Sequence, residues 1–411
     1  MKKASIVTIG NEILAGKTVD TNAAHLAAEM QNIGIPVVST YTVADEIKAI
    51  IRALNLAGDN ADVIIAAGGL GPTDDDLTRQ AFAAFLGVEL QLQKDLLEDI
   101  RERFELLNLD MPEKNKNQAY IPAGAKALKN IGTASGIMAG YKGKLFIALP
   151  GVPTEMEQMF EESVLPELKE FAGEQAIVVR RLRCFGAGES TIAKMLGDMM
   201  QRGRNPLINC TASEGIITLH VIAAAKEQNE AQTMAEKDEK MLLNILGELV
   251  YGINEQTLEQ VVGEKLALEN KTISVAESCT GGWLAKMITD IPGASKYFTY
   301  GWITYSNEAK IRELGVPIDL IEKYGAVSEQ VAEAMARGAR RKAGTNFAIG
   351  ITGIAGPTGG TEQKPVGLVY ISVDSSSGCD TKRCLFINKR QFTRRRAAQT
   401  ALNMLRIKLN I

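Results

Sequence analysis

The order of apolar and polar positions divides the chain into alternating strand-like and helix-like stretches. Ser5–Gly10 is a short apolar run of the kind that forms a buried strand. Asp20–Ile33 has helical periodicity, with Asp20 or Thr21 as its cap and Gly34 as its stop. Val37–Val43 predicts a second strand, Glu46–Ala57 a helix, Asp62–Ala67 a third strand ending at Gly68-Gly69, and Asp74–Leu86 a helix stopped by Gly87. This alternation points to a doubly wound parallel sheet with crossover helices. Such sheets bind ligands beyond the carboxyl ends of their strands. Lys144–Leu149 adds a strand that runs into Pro150-Gly151-Val152-Pro153 and another helix, so the first unit is expected to span residues 1–173.

The pattern then changes. A strand at Ala176–Cys184, a turn at Gly186-Ala187-Gly188, a short helix, strands at Leu207–Ala212 and Ile216–Ala225 and a charged helix Glu227–Gly247 make a small α+β unit over 174–254. It gathers no cluster of reactive groups and reads as a spacer or interaction module. The α/β alternation resumes over 255–411. There the pattern predicts helices Leu258–Glu269, Trp283–Thr289 and Thr393–Lys408, with strands at Thr272–Ala276, Tyr300–Tyr305, Asn346–Ile351, Gly367–Val373 and Arg383–Ile387.

Composition narrows the class. The 411 residues are too many for one ordinary core. Lys plus Arg is 46 and Asp plus Glu 49, a net charge of −3, which argues against a nucleic-acid coat or a polybasic membrane binder. No apolar run approaches the roughly 18 residues of a membrane span. The first residues lead straight into a strand-like run, and a cytoplasmic location is expected. Five cysteines without a C-x-x-C pair fit a reduced compartment and no structural zinc. Only two histidines are present, His25 and His220, each placed like an ordinary structural histidine, so a Ser-His-Asp triad is not expected.

Candidate chemistry sits where strands feed helices. In the first unit, Gly68-Gly-Leu-Gly-Pro-Thr-Asp-Asp-Asp-Leu-Thr78 offers glycine backbone, notably at Gly69 and Gly71, and Thr73 for close approach to a phosphate. Three carboxylates in succession exceed what a helix start needs. With Asp45 and Glu12 they form a set suited to holding a divalent cation against a diphosphate, although a glycine turn with an over-acidic helix start is the plainer alternative.

In the last unit Ser278 follows a strand and precedes Gly281-Gly282 and a helix, an elbow that exposes a nucleophile to a helix dipole. A cap cluster would equally explain Ser278-Cys279-Thr280. Lys310, in Tyr305-Ser-Asn-Glu-Ala-Lys310, opens a helix where the dipole disfavours a cation, which hints at another purpose. A desolvated lysine can accept a serine proton, and with histidine scarce a Ser-Lys pair is the available way to activate a hydroxyl. Cys279 is the rival nucleophile. Gly350-Ile-Thr-Gly-Ile-Ala-Gly-Pro-Thr-Gly-Gly360 carries Thr352, Gly353 and Gly356 on a loop able to line a nucleotide pocket. Arg390, followed by Arg394-Arg-Arg396 at a helix start, invites an anionic ligand.

These segments together resemble the CinA family of competence/damage-inducible proteins. Gly10-Asn-Glu-Ile-Leu, Asp20-Thr-Asn, the Gly68–Thr78 loop, Asn130-x-x-Gly-Thr-Ala and Leu149-Pro-Gly-Val-Pro-x-Glu-Met are similar to its N-terminal domain, itself similar to molybdopterin-binding domains. The resemblance implies a metal-dependent ADP-ribose pyrophosphatase, using Mg, Mn or Co and helped by potassium, with Asp45, Asp75 and Asp76 carrying metal or pyrophosphate chemistry. Phe185-Gly-Ala-Gly-Glu-Ser190 resembles the family's KH-like linker, here without a basic G-x-x-G loop, so no nucleic-acid partner is expected.

Ala276-Glu-Ser-Cys-Thr-Gly-Gly282, Tyr305–Lys310, Gly350–Pro357 and Lys364-Pro-Val-Gly367 resemble the CinA C-terminal domain, a nicotinamide mononucleotide deamidase. That implies Ser278 as nucleophile, Lys310 as base, Tyr305 as proton relay and Arg390 as substrate ligand, with the Thr280–Gly282 amides facing the oxyanion and no metal needed. The expected substrates are nicotinamide mononucleotide and ADP-ribose, and the expected assembly is a homodimer. Two rivals remain: a first unit that binds a pterin or transfers nucleotides without hydrolysis, and a non-enzymatic scaffold in DNA uptake or repair.

Overall fold

The computed structural model describes residues 2–129, 132–172, 176–387 and 389–411. Asn130, the expected boundary at 173/174 and Asn388 lie outside the described residues. The chain forms two compact units, Met1–Val178 with Ala224–Ala231, and Val179–Ala223 with Gln232–Ile411.

The first unit holds strands β1 (Ala4–Ile9), β2 (Val37–Val43), β3 (Val63–Ala67), β4 (Leu90–Leu92), β5 (Tyr120–Pro122), β6 (Lys126–Leu128), β7 (Gly136–Tyr141) and β8 (Lys144–Leu149). Its main sheet has the order β2-β1-β3-β8-β7-β6. The first four strands run parallel and β7 and β6 antiparallel, so the sheet is mixed at one edge. Side chains alternate between faces along a strand. Ala4 and Ile6 therefore pack against Leu26 and Met30, while Val7 and Ile9 join Ile50, Leu54 and Phe82. Both faces are covered at the centre of the sheet, which is why β3, Val63-Ile-Ile-Ala-Ala67, reads as an unbroken apolar run. The carboxyl ends of β1, β2, β3 and β8 lie on one edge, and the Gly10, Asp45, Gly68 and Pro150 segments meet there.

Helix Lys94–Leu106 and strands β4 to β7 add to the elements read from the pattern, and one expected helix starts later. The helix expected from Asp74 begins at Thr78, so Asp74, Asp75 and Asp76 lie in the loop before it. The Asp76 carboxylate accepts the amides of Gly71 and Thr73, both at 2.8 Å, and stabilises a turn instead of a first helical turn.

The second unit contains the four-stranded sheet of β9 (Ala176–Cys184), β10 (Leu207–Ser213), β11 (Ile216–Ala225) and β12 (Val250–Ile253), in the order β10-β11-β9-β12. It also contains β13 (Ile273–Glu277), β14 (Phe298–Ile303), β15 (Phe347–Gly353), β16 (Leu368–Ser375) and β17 (Gly378–Leu385), in the order β14-β13-β15-β16-β17. β14, β13 and β15 are parallel and the last two strands antiparallel. Helices Leu258–Leu268, Trp283–Thr289 and Arg390–Lys408 share one core with this sheet. Helix Glu329–Ala343 buries Val331, Met335 and Ala339 with Ala276 and Ala348. The carboxyl ends of β13, β14 and β15 deliver Ser278, Thr304–Lys310 and Thr352–Gly359 to a single edge.

Boundaries move here, and β17 begins at Gly378, five residues before the expected Arg383. β14 ends at Ile303, so Tyr305 stands two residues past the strand. The last helix starts at Arg390, so Arg394–Arg396 occupy its second turn and the cation at the helix start is Arg390. No helix among the described residues is long and apolar enough to cross a membrane.

Candidate active site

The nucleophile turn is shaped by a buried carboxylate. Gly281 and Gly282 have φ of 59° and 91°, a left-handed pair that a side chain disfavours. This pair folds the chain back so that the Glu277 carboxylate accepts the amides of Gly282 (3.0 Å), Leu284 (3.1 Å) and Ala285 (2.8 Å). These are the orphan N–H groups of helix Trp283–Thr289, and Glu277 caps them from the strand before. Ser278 is thereby left at the edge of the cavity, mostly buried. Glu277→Ala is expected to cost about 3 kcal/mol, because it strands three amides around a buried charge site. Urea denaturation measures this, and a loss within about 0.5 kcal/mol would sink the capping role.

Lys310 comes from the helix Asn307–Leu314, whose start is capped by the Ser306 hydroxyl accepting the Ala309 amide at 3.1 Å. Its side chain turns inward and the residue is 1% exposed. Nζ lies 3.1 Å from Ser278 Oγ, and donates to the carbonyl oxygens of Thr304 (2.9 Å), Tyr305 (3.4 Å) and Ser306 (3.5 Å). Burial lowers the Lys310 pKa below the ordinary lysine range, opposed by the neighbouring Cys279 and Glu308. The carbonyl oxygens give the lysine somewhere to hold a proton once it takes one. Cys279 is buried and its thiol is pushed up to about 12 by burial, so it carries almost no thiolate at neutral pH.

A cavity of about 260 Å³ opens beside this pair, lined by Ser278, Tyr305, Asn307, Lys310, Thr352 and Arg390 among others. Gly353 and Gly356 also line it, whereas Thr280, Gly281 and Gly282 do not. The Gly281 amide donates to Ser278 O at 3.1 Å and that of Gly282 to Glu277. These two amides are therefore committed, a correction to their expected role at an oxyanion. Thr352 is buried and donates to Ala326 O at 2.8 Å, which ties the loop after β15 to the opposite wall. Tyr305 is 62% exposed. Its phenol oxygen accepts from Arg390 Nη2 at 3.2 Å, while Arg390 Nη1 donates to Gly356 O at 2.9 Å. Tyr305 and Arg390 thus form the rim, and the Tyr305 phenol meets Arg390 while only its backbone reaches Lys310.

The Arg394–Arg396 run does not form an anion grip. Arg394 donates to Thr280 O, Arg395 pairs with Glu214 and Arg396 donates to Gly215 O.

The edge of the first sheet carries a second cavity, about 390 Å³. Gly69, Gly71 and Thr73 line it with Glu12, Asp45, Asp75, Asp76 and Glu155, and its described lining contains no Lys, Arg or His. Asp45 accepts the Asn11 amide at 2.9 Å. The exposed Asp75 carboxylate is held below the usual range, chiefly by the Thr73 hydroxyl. Asp76 is engaged by its own loop, as described above. Arg79, which sequence reading passed over, is buried beneath that loop and donates to Leu70 O (2.6 Å) and Gly71 O (2.5 Å). Its pKa is lowered to about 10 by burial.

The oxygen donors suit a hard divalent cation. Among the described residues, however, no group of three or more Asp, Glu, His or Cys is placed to hold one. Asp45, Asp75 and Asp76 share a cavity without converging as a ligand set. A cation there fits only the mode in which one or two carboxylates and substrate phosphates share it.

Glu277, Asn307 and Thr358 line or shape the first cavity, and Glu155 and Gln118 the second, without having been singled out from sequence. Glu277 carried a readable signal, an acidic residue just before a Ser-Cys-Thr-Gly-Gly helix start.

Three family models match in chain order. They are a probable molybdopterin binding domain over residues 5–170, a damage-inducible protein CinA KH domain over 179–252 and a CinA C-terminal domain over 255–409. A putative competence-damage inducible protein from Caldicellulosiruptor saccharolyticus is 41% identical over 404 residues, 98% of each chain. One from Clostridium perfringens is 43% identical over 409 residues, 99% of each. The crystal structure of competence/damage inducible protein CihA from Agrobacterium tumefaciens is 39% identical and covers 38% of this chain and 94% of that chain, with a TM-score of 0.37. With relatives this similar over nearly its whole length, the chain belongs to the CinA family of competence/damage-inducible proteins.

Proposed function

We propose that the second unit hydrolyses the carboxamide of nicotinamide mononucleotide to nicotinate mononucleotide and ammonia. The observation that carries this reading is the buried Lys310 Nζ at 3.1 Å from Ser278 Oγ, at the mouth of a cavity rimmed by Arg390. Neutral Lys310 takes the Ser278 proton as Oγ attacks the amide carbon. The resulting ammonium is held by the Thr304 and Tyr305 carbonyl oxygens until it protonates the departing ammonia. The oxyanion faces the amide of Cys279, which lines the cavity beside Ser278. Arg390, with the Tyr305 phenol, receives the nucleotide phosphate at the rim. Water then attacks the acyl-enzyme, returning its proton through Lys310. The test is ammonia release by purified protein beside its Ser278→Ala variant.

The first unit is proposed to hydrolyse ADP-ribose to AMP and ribose 5-phosphate. Five carboxylates with no described cationic side chain in the lining repel a bare diphosphate, so the substrate must bring cations with it. When bound, such a cation would neutralise the phosphates, and Asp45 and Asp75 are the residues that would share it. The chain's own part is to hold Gly71–Thr73 open through Asp76 and Arg79. Manganese is accordingly expected to bind the free protein weakly, and at least about tenfold more tightly with an uncleavable methylene analogue of ADP-ribose present. Titration calorimetry distinguishes this from tight binding to the free protein, which would refute a substrate-shared cation. Both substrates are breakdown products of pyridine dinucleotides, and the two activities together would serve their salvage in the cytoplasm, in a homodimer.

A further inference from the structure

Three consecutive arginines in the second turn of helix Arg390–Lys408 are each held by a different partner. Arg394 donates to Thr280 O through Nε (3.1 Å) and Nη2 (2.7 Å), two residues past the nucleophile, and lies over the Trp283 ring at 5.3 Å. Arg395 pairs with Glu214 and, like Arg394, lies over the Trp283 ring, at 5.6 Å. Arg396 donates to Gly215 O at 2.6 Å and lies over the Phe185 ring at 4.4 Å.

Glu214 and Gly215 are the two loop residues of the hairpin between β10 and β11, where Ser213 pairs with Ile216. Their φ values are 52° and 84°. Both are left-handed, as a two-residue turn matched to strand twist requires. Asn or Gly is the usual choice at the first position, and a glutamate there is disfavoured. Its ion pair with Arg395 is a reason for its presence. At Gly215 an added Cβ would lie 2.2 Å from Arg396 Nη1, so Arg396 would have to give up this position to a side chain, which the φ of 84° also disfavours.

Successive helix residues point about 100° apart. Arg390 and Arg394, four residues apart, share the face toward the cavity. Arg395 and Arg396 are turned to the hairpin. The hairpin contact thus adds to the core packing of Ala397, Ala398 and Ala401 in holding the first turns of the helix, from which Arg394 reaches Thr280 and Arg390 reaches Gly356 and Tyr305.

We propose that the Glu214–Gly215 turn of the KH-like segment positions the nucleophile turn Ser278–Gly282 by helping to hold the rotation of the first turns of this helix, with Arg394 as the positioning residue. Its turnover readout rests on the amidase reading; its exchange readout does not. The experiment compares full-length wild type, Glu214→Arg, Arg395→Glu and the double variant, with Gly215→Ala as a milder lesion. Glu214→Arg is expected to lower kcat for ammonia release about tenfold and to raise KM as well, since the same rotation places the nucleophile turn and Arg390. It should also speed amide hydrogen exchange over residues 278–285. Restoration of both by the double variant supports the proposal. Exchange unaltered in Glu214→Arg and Gly215→Ala, or a lowered melting temperature with kcat untouched, overturns it. Wild-type protein that releases no ammonia sinks the amidase reading instead, and the exchange comparison still decides the positioning.

Discussion

Ser278→Ala is expected to reduce ammonia release from nicotinamide mononucleotide by about 10³-fold or more, with the fold and melting temperature nearly unchanged. The hydroxyl lies 3.1 Å from Lys310 Nζ and lines the cavity, where it can be deprotonated and presented to substrate. Its neighbour offers no substitute. Cys279 is buried, and a thiol pushed up to about 12 is protonated at any physiological pH. The methyl group left by alanine keeps the Glu277 cap and the Lys310 carbonyl contacts in place, so the loss would report chemistry and not unfolding. The assay is run with a chelator present. Turnover that survives the substitution would move the nucleophile elsewhere, and a chelator-sensitive residue of activity would point to a metal-activated water.

Lys310→Met is expected to lower kcat by about 10²–10⁴-fold while leaving KM within about twofold. Methionine fills a similar buried volume without a proton acceptor. The pH profile supplies the sharper test. Burial lowers the Lys310 pKa, and the neutral amine is the competent base, so wild-type kcat/KM should climb with pH through that lowered value and then level off. The same shift fixes a stability trend. Below the folded-state pKa both folded and unfolded forms carry the proton, and the cost of burying an ammonium is present in full. Between the folded and unfolded pKa values the unfolded chain binds more protons, so stability rises with pH across that window. Lys310→Met should flatten both dependences. An unchanged acidic limb in the variant would assign that limb to another group and remove Lys310 as the base.

Much of the architecture could be read from residue order, for a local reason. A strand covered on both faces is mostly apolar, and β3 and the Leu145–Leu149 part of β8 are so throughout; a helix needs a cap and a stop, and Asp20 and Gly34 supply them. The errors arose where a side chain's partner lies off its own element. The acidic run Asp74–Asp76 looks like a helix start until the Asp76 carboxylate is seen turned back onto Gly71 and Thr73. Arg394–Arg396 look like an anion grip until their partners emerge from a turn about 180 residues earlier and from the nucleophile loop. Gly281 and Gly282 look like oxyanion donors until Glu277 takes one of their amides.

Residue types and their local spacing determined the α/β class, the three successive segments and the two cavities' chemical character: a hydroxyl, a lysine and an arginine in one, oxygen acids in the other. Those properties depend on short-range periodicity and on composition, which the chain carries without folding. Tertiary structure alone decided that Lys310 turns inward to Ser278, that the carboxylates of the first cavity stay apart, and that Arg394 reaches the nucleophile turn. Each depends on burial and on contacts between residues far apart in the chain, and neither exists until the sheets have assembled.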